Sequence, residues 1–235
     1  MATVTQTQAQ ALPGLRLTWR QYAGISGIIG TILFAIGVIL TGDAPSINDP
    51  VADARVWWGD NGQRFLWAQF VIVVGVMFFL VPFIVGLRNR LAEAEGDGGP
   101  WAMVAFLSVI FWLLLGGSAS IATGALALGI DKLEGDGVVR ALQYMDFAGF
   151  ASNSIVLAPF FLALAFVIMK SKVFWGWLAY LSIALAIASF LGCFAFVSGD
   201  PDSPFMLLGL VSTLGFAVTN LLVGFAMLRD AGPAA

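Results

Sequence analysis

The 235-residue chain contains no histidine and only one cysteine. Without imidazole there is no His-ligated haem, no Ser-His-Asp catalysis and almost no route to a catalytic zinc site. A single cysteine, Cys193, rules out an intramolecular disulfide and an iron–sulfur cluster. Lying within an apolar run, it reads as a small buried residue. No cofactor, no metal and no catalytic residue is therefore expected. Charge is scarce too: 11% of residues are Asp, Glu, Lys or Arg, against roughly 25% in an average soluble domain. What remains is 60% hydrophobic, with a mean hydropathy of +0.93. A soluble fold of this composition would expose large sticky patches, so lipid is expected to cover the outside.

Charge-free runs occupy 21–42, 65–87, 101–130, 147–169, 173–199 and 203–228. Each exceeds the ~20 residues a helix needs to cross a ~30 Å hydrocarbon core. The runs are apolar on every face, which disfavours barrel strands that alternate over ~10 residues. An all-α bundle of six transmembrane helices is expected, forming one domain over 21–229. Residues 1–20 read as a flexible segment and 230–235 as a short tail. The first run, 22 residues ending in "TGDAPS", reads as a retained span, not a cleaved signal. The third run, 30 residues, is about 45 Å long as a helix and must tilt, bend or project beyond the lipid.

Basic residues near span ends set orientation. Seven lie on one side (Arg16, Arg20, Arg88, Arg90, Lys170, Lys172 and Arg229) and four on the other (Arg55, Arg64, Lys132 and Arg140). Both termini are therefore expected in the cytoplasm of a bacterial cell, with the chain in its inner membrane. Ten of the fourteen acids fall in the opposite, extracytoplasmic loops at 43–64, 131–146 and 200–202.

No Lys or Arg sits mid-span, so a retinal Schiff base is excluded. No Asp or Glu lies inside a span, although pumps and coupled antiporters usually keep one at depth. Facilitated or lipid transport stays open. Glycine spacing carries no phosphate-binding motif. Gly24, Gly27 and Gly30 share one helix face, and Ala184, Ala188 and Gly192 form a small-residue ridge; both patterns suit close helix packing. Pro82 and Pro159 each remove a backbone hydrogen bond and are expected to kink their helices. Few polar side chains lie at depth. Asp146, Asn153, Gln69 and Asn220 are the candidates for a polar cavity open to the outside.

The stretch "TGDAPSINDPVADARVWWGDNGQRF", Thr41–Phe65, is the longest polar passage near the start. Asp49 followed by Pro50 is a helix-start signal, and Gly59 reads as a stop. A short outer-surface helix over 50–58 is expected, anchored at the lipid interface by Trp57 and Trp58. "GDGVVRALQYMDF" in the third loop suggests a second such helix, with Tyr144 as its anchor. Trp175 and Trp177 read as interface anchors on the other side. "DKLEGDG" lacks the ligand spacing of a calcium loop and reads as a solvated turn. "SGDPDSPF" echoes "TGDAPS", which allows a threefold hairpin repeat.

"LTGDAPSINDP", "WWGDNGQRFLWAQF", "GLRNRLAEAEGDGG" and "FWGWLAYLSIALAI" together resemble a bacterial family of six-span integral membrane proteins of unknown function. The resemblance covers most of 22–228. It implies a small inner-membrane protein and carries over no reaction and no catalytic residue. Three readings follow. The leading one is a non-enzymatic accessory, scaffold or envelope-sensing component. The second is a small transporter or lipid-handling protein with an outward-facing cavity. The third is a membrane enzyme using outer-loop carboxylates among Asp43, Asp49, Asp60, Asp131, Asp146 and Asp200. Expected partners are membrane lipid and either another membrane protein or a second copy of the chain; nucleic acid is not among them.

Overall fold

The computed structural model describes residues 17–96 and 98–229. Of the segment 1–20 expected to be flexible, residues 1–16, with Arg16, lie outside the described residues, as does the tail 230–235; Trp19 and Arg20 already belong to the first helix. The elements run α1 (Trp19–Thr41), α2 (Val51–Gly75), a π-helical turn (Val76–Leu80), α3 (Val81–Glu95), α4 (Pro100–Gly129), a 3₁₀ turn (Ile130–Lys132), α5 (Asp136–Ser171), α6 (Gly176–Gly192), α7 (Phe194–Ser198) and α8 (Pro204–Arg229). Among the described residues six helical stretches are long and apolar enough to cross a membrane. The chain is thus an all-helical bundle compatible with a multi-pass membrane protein.

Its outward surface fits that reading. Ile39, Val197, Ile121 and Leu128 are each more than 70% exposed, which lipid tolerates and water does not. The fourth span, α5, is the central helix: 61% of its apolar window is buried, against 33–39% for the other five. Phe160, Phe161, Leu157 and Leu164 of α5 meet Phe83, Leu87, Val109 and Leu178 in the main core.

Inside lipid, apolar side chains gain little by leaving the solvent, so close van der Waals contact decides which faces meet. A Cβ on Gly27 would lie 2.4 Å from the Phe83 ring, and one on Gly30 would lie 2.9 Å from the Leu80 backbone nitrogen. Gly24 and Gly224 abut reciprocally: a Cβ added to either would lie 2.8 or 2.9 Å from the other's carbonyl oxygen. These glycines let α1 lie directly on α3 and α8.

The α6–α8 contact has a different code. The buried residues of α6 include Leu178, Ser182, Leu185, Ser189 and Gly192; those of α8 include Gly209, Ser212, Phe216, Thr219 and Val223. Both sets are spaced alternately by four and three, the seam of a left-handed pair. A Cβ on Gly192 would reach the Gly209 nitrogen at 2.6 Å, and one on Gly215 would reach Leu185 at 2.2 Å. This antiparallel register sets Ser189 opposite Ser212 and Ser182 opposite Thr219. The small-residue ridge is therefore rotated from the expected one. Gly192 is in it, Ala188 is half-buried, and Ala184 faces outward.

Two helices run well past their apolar windows. The second span is continuous from Val51 to Glu95, 45 residues, or about 67 Å at 1.5 Å per residue. The fourth, α5, has 36 residues, about 54 Å. A hydrocarbon core is about 30 Å thick. The expected short surface helices are therefore not separate elements: 50–58 and the segment carrying Tyr144 are the first turns of α2 and α5. Gly59 does not stop α2. A Cβ there would touch nothing within 4 Å, so the residue sits harmlessly on an open helix face.

Pro82 lies two residues past the end of the π-helical turn, where the Val81 N–H reaches back to the Val76 carbonyl. The wider turn accommodates a residue that cannot donate to the ladder. Pro159 lies inside the unbroken α5. α4 stays helical through "GGSASIATGALALG". Cys193 is half-buried at the short break between α6 and α7.

The turn from α3 to α4 has a cap that no local motif announced. Gly99 precedes α4 with φ 63° and brings no side chain. Glu95, 8% exposed, reaches across the turn instead. Its Oε1 accepts from the Trp101 N–H at 3.1 Å and its Oε2 from the Ala102 N–H at 3.0 Å. Glu95→Ala should lower stability in detergent by about 1–2 kcal/mol, the ordinary cost of losing an N-terminal cap. An unchanged melting temperature would contradict this role.

Candidate functional site: the tied acidic end

The loops at 42–50, 130–136 and 199–203 meet at one end of the bundle. The extended parts of α2, α4 and α5 build its platform. Ala54, Trp58 and Phe65 of α2 pack with Leu126 of α4, Ile130 of the 3₁₀ turn and Val139 of α5 in a second, separate apolar cluster. A Cβ on Gly62 would press on the Ala127 carbonyl at 2.7 Å, and one on Gly149 on the Ala119 side chain at 2.8 Å. Trp58 is only 3% exposed. It is a core residue of the platform and not a lipid-interface anchor, because its side of α2 faces α4 and α5. Trp57 is half-buried, edge-on to Trp58 at 4.8 Å, with the Arg64 guanidinium 5.9 Å from its ring. Tyr144, Trp175 and Trp177 all reach the surface in part.

Thr41–Pro50 lies across this platform as a strap. Asp49 does not cap α2. Its carboxylate accepts from the Ser46 N–H at 2.7 Å, and Pro50 occupies the N-cap position with no side-chain hydrogen bond. Arg140 of α5 holds the strap, donating to the Ile47 carbonyl and, at 2.8 Å, to the Asp49 carbonyl. Gln143 adds a donor to the Pro45 carbonyl at 3.4 Å. Asn48 donates to Asp202 at 2.9 Å, tying the strap to the last loop. Arg55 pairs with Asp136 at 3.2 Å and donates to the Leu133 carbonyl at 3.0 Å, tying α2 to the third loop. Two of the four cations of this end, Arg55 and Arg140, therefore bridge distant segments through backbone carbonyls. The signal was present in the sequence as isolated basic residues within acidic loops, but their partners lie 75–93 residues away.

The four cavity candidates are placed differently. Asp146 and Gln69 are half-buried on α5 and α2. Asn153 is 8% exposed and faces Trp112 of α4. In the amide orientation that satisfies both partners, its nitrogen donates to the Trp112 carbonyl at 3.0 Å and its oxygen accepts from the indole N–H at 3.2 Å. Gly116, one turn along α4, leaves the room for this amide. Asn220 is 2% exposed on α8. No hydrogen bond joins any two of these four among the described residues. Among the candidate carboxylates, Asp200 accepts from the Asp202 N–H at 3.0 Å, an ordinary turn contact. Among the described residues no group of three or more potential metal ligands converges.

No protein-family model, curated protein or solved structure matches the chain. The functional reading is carried by the geometry.

Arg140→Gln should free the strap. Hydrogen bonds from a charged donor contribute about 1.5–3 kcal/mol when buried, and partial exposure here reduces that. Amide exchange at Ile47–Asp49 should accelerate at least about tenfold while the spans stay protected. Unchanged exchange would show that Arg140 does not hold the loop.

Proposed function

We propose that the chain is a non-enzymatic multi-pass component of a bacterial inner membrane, an accessory, scaffold or envelope-sensing subunit that displays its acidic end on the extracytoplasmic side. Its termini then lie in the cytoplasm. The seven-to-four distribution of basic residues supports that orientation. The observation that carries the reading is the tied strap: Arg140, Asn48 and Arg55 join three loops into one preorganised acidic surface. A surface ordered before binding loses less conformational entropy when a partner docks. Carboxylates at its rim favour a basic partner and reject acidic ones. The partner in view is another membrane protein or a second copy of the chain.

Mild-detergent purification from native membranes tests this. A stoichiometric protein partner should accompany the wild-type chain and be lost from Arg140→Gln, which leaves the spans intact. A chain that purifies alone, in a form that Arg140→Gln does not alter, would count against it.

The second reading, a small transporter or lipid-handling protein, draws on α8. Asn220 Oδ1, Thr219 Oγ1 and Ser212 Oγ are buried without partners among the described residues, and a polar path would use such atoms. Flux of a small solute through proteoliposomes, abolished by Asn220→Leu, would favour that reading over the first.

A further inference from the structure

The opposite end of the bundle is basic, and it is concave. Two adjoining hollows lie along the 172–175 loop between α5 and α6. One, of about 490 Å³, is lined by Arg90, Ser171 and Lys172 among others. The second, of about 230 Å³, is lined by Lys172, Trp175 and Arg229 among others. The shared wall at Lys172 and Val173 makes them one groove bridging α3, the α5–α6 loop and the end of α8.

Among the described residues no carboxylate lines either hollow. Glu93 pairs with Arg20 at 2.9 Å and lies 3.8 Å from Arg90, so it offsets part of the Arg90 charge. Glu95 is committed to the start of α4. Among the described residues no acid pairs with Lys172 or Arg229. Lys172 itself is held in place: among the described residues it is the one non-glycine with positive φ, 57°, and its N–H closes α5 on the Ile168 carbonyl at 2.8 Å. The ammonium therefore starts from a fixed backbone point at the rim.

The depth of the groove is set by its aromatics. Trp175 and Trp177 stack at 6.2 Å at the start of α6, with Trp177 52% exposed. Indoles favour the boundary between acyl chains and headgroups. In a bilayer that seats these indoles at the interface, a groove beside them would lie at the level of lipid phosphates. Basic pockets between helices at that level bind anionic headgroups.

We propose that this groove is a binding site for the phosphate of an anionic phospholipid, with Lys172 and Arg229 as its principal cations and Arg90 at its far rim. The shared chemistry is a phosphate anion, and the lipid is the source favoured here because the groove opens beside the interfacial indoles. Either leaflet would supply the ligand, so the site does not depend on the orientation proposed above.

The test uses the full chain, delipidated in neutral detergent, with melting temperature as the readout. Short-chain phosphatidylglycerol should stabilise it in a saturable way; short-chain phosphatidylcholine and inorganic phosphate at the same concentration should not. Lys172→Asn combined with Arg229→Gln should weaken the phosphatidylglycerol response at least about tenfold, given roughly fivefold in affinity per cation near a headgroup. Asn suits the positive φ at position 172. Arg64→Gln with Lys132→Gln removes the same charge from the acidic end and should leave the response intact. Rising salt should weaken the wild-type response, which supplies a check independent of any variant. Equal stabilisation by phosphatidylcholine would overturn the proposal. Equal stabilisation by inorganic phosphate would overturn the lipid assignment. A response lost from the acidic-end control but kept in Lys172→Asn/Arg229→Gln would overturn the location.

Discussion

Gly27→Leu is expected to prevent stable folding, while Gly117→Leu in the same membrane is expected to be close to neutral. Both changes add the same side chain to an apolar helix, so hydrophobicity cannot separate them. At Gly27 the first added carbon would lie 2.4 Å from Phe83 Cδ2, and Phe83 is fully buried. The ring cannot swing away, because it stands in the main core beside Leu80 and Leu87. Overpacking usually costs about 1–3 kcal/mol and sometimes more. Here the remaining atoms of Leu would also push α1 off α3 along its length. At Gly117 nothing lies within 4 Å of an added Cβ, and the new side chain projects into lipid. Its effect should stay within about 0.5 kcal/mol. Expression level and melting temperature in detergent measure both. Similar values for the two variants would mean that α1 does not lie on α3.

Trp58→Ala should be the most damaging change outside the membrane core. The platform of α2, α4 and α5 extends beyond the apolar windows, so its apolar cluster is driven by water exclusion in the ordinary way. Removing an aromatic side chain from such a cluster costs about 3–5 kcal/mol. Trp58 packs on Phe65 at 4.9 Å and on Ala54, Leu126 and Val139. Trp57→Ala should cost only about 1–2 kcal/mol, from one edge-to-face pair and one exposed cation–π contact. The expected result is a large loss of stability for Trp58→Ala and a small one for Trp57→Ala, read by chemical denaturation. Two interface anchors would instead give similar effects, abolished when the bilayer is replaced by detergent.

The six spans were legible because charge is costly in hydrocarbon, so each crossing leaves a clean gap in the charge pattern. The helix ends were not. Beyond the lipid, a helix tolerates Asp53, Asp60 and Arg64 on its wet face, and nothing in the composition of 51–64 distinguishes a helical extension from a loop. Gly59 reinforced the wrong choice. A glycine inside a helix costs about 1 kcal/mol, and burial of Ala54 and Trp58 outweighs it. The start of α2 was read to within one residue from Asp49 and Pro50, but the Asp49 carboxylate serves the strap.

The α6–α8 seam failed for another reason. Every face of that span is apolar, so periodicity carries no contrast. The informative residues were the serines, Ser182 and Ser189, spaced by seven and set in register with Thr219 and Ser212 respectively. For the candidate site, residue types were visible and their partners were not. Arg140 and Ile47 are 93 residues apart, and only the fold brings them together.

The proposed function requires a bundle whose acidic end faces the extracytoplasmic side and whose basic end faces the cytoplasm. Single cysteines in a Cys193→Ser background test this with an impermeant thiol reagent on intact cells. Glu134 and Asp60 are exposed at the acidic end and Lys170 at the basic end. Glu134→Cys and Asp60→Cys should label in intact cells, and Lys170→Cys only after permeabilisation. Labelling of Lys170→Cys in intact cells, with Glu134→Cys protected until the membrane is opened, would contradict the orientation and the outward display that the proposed function requires.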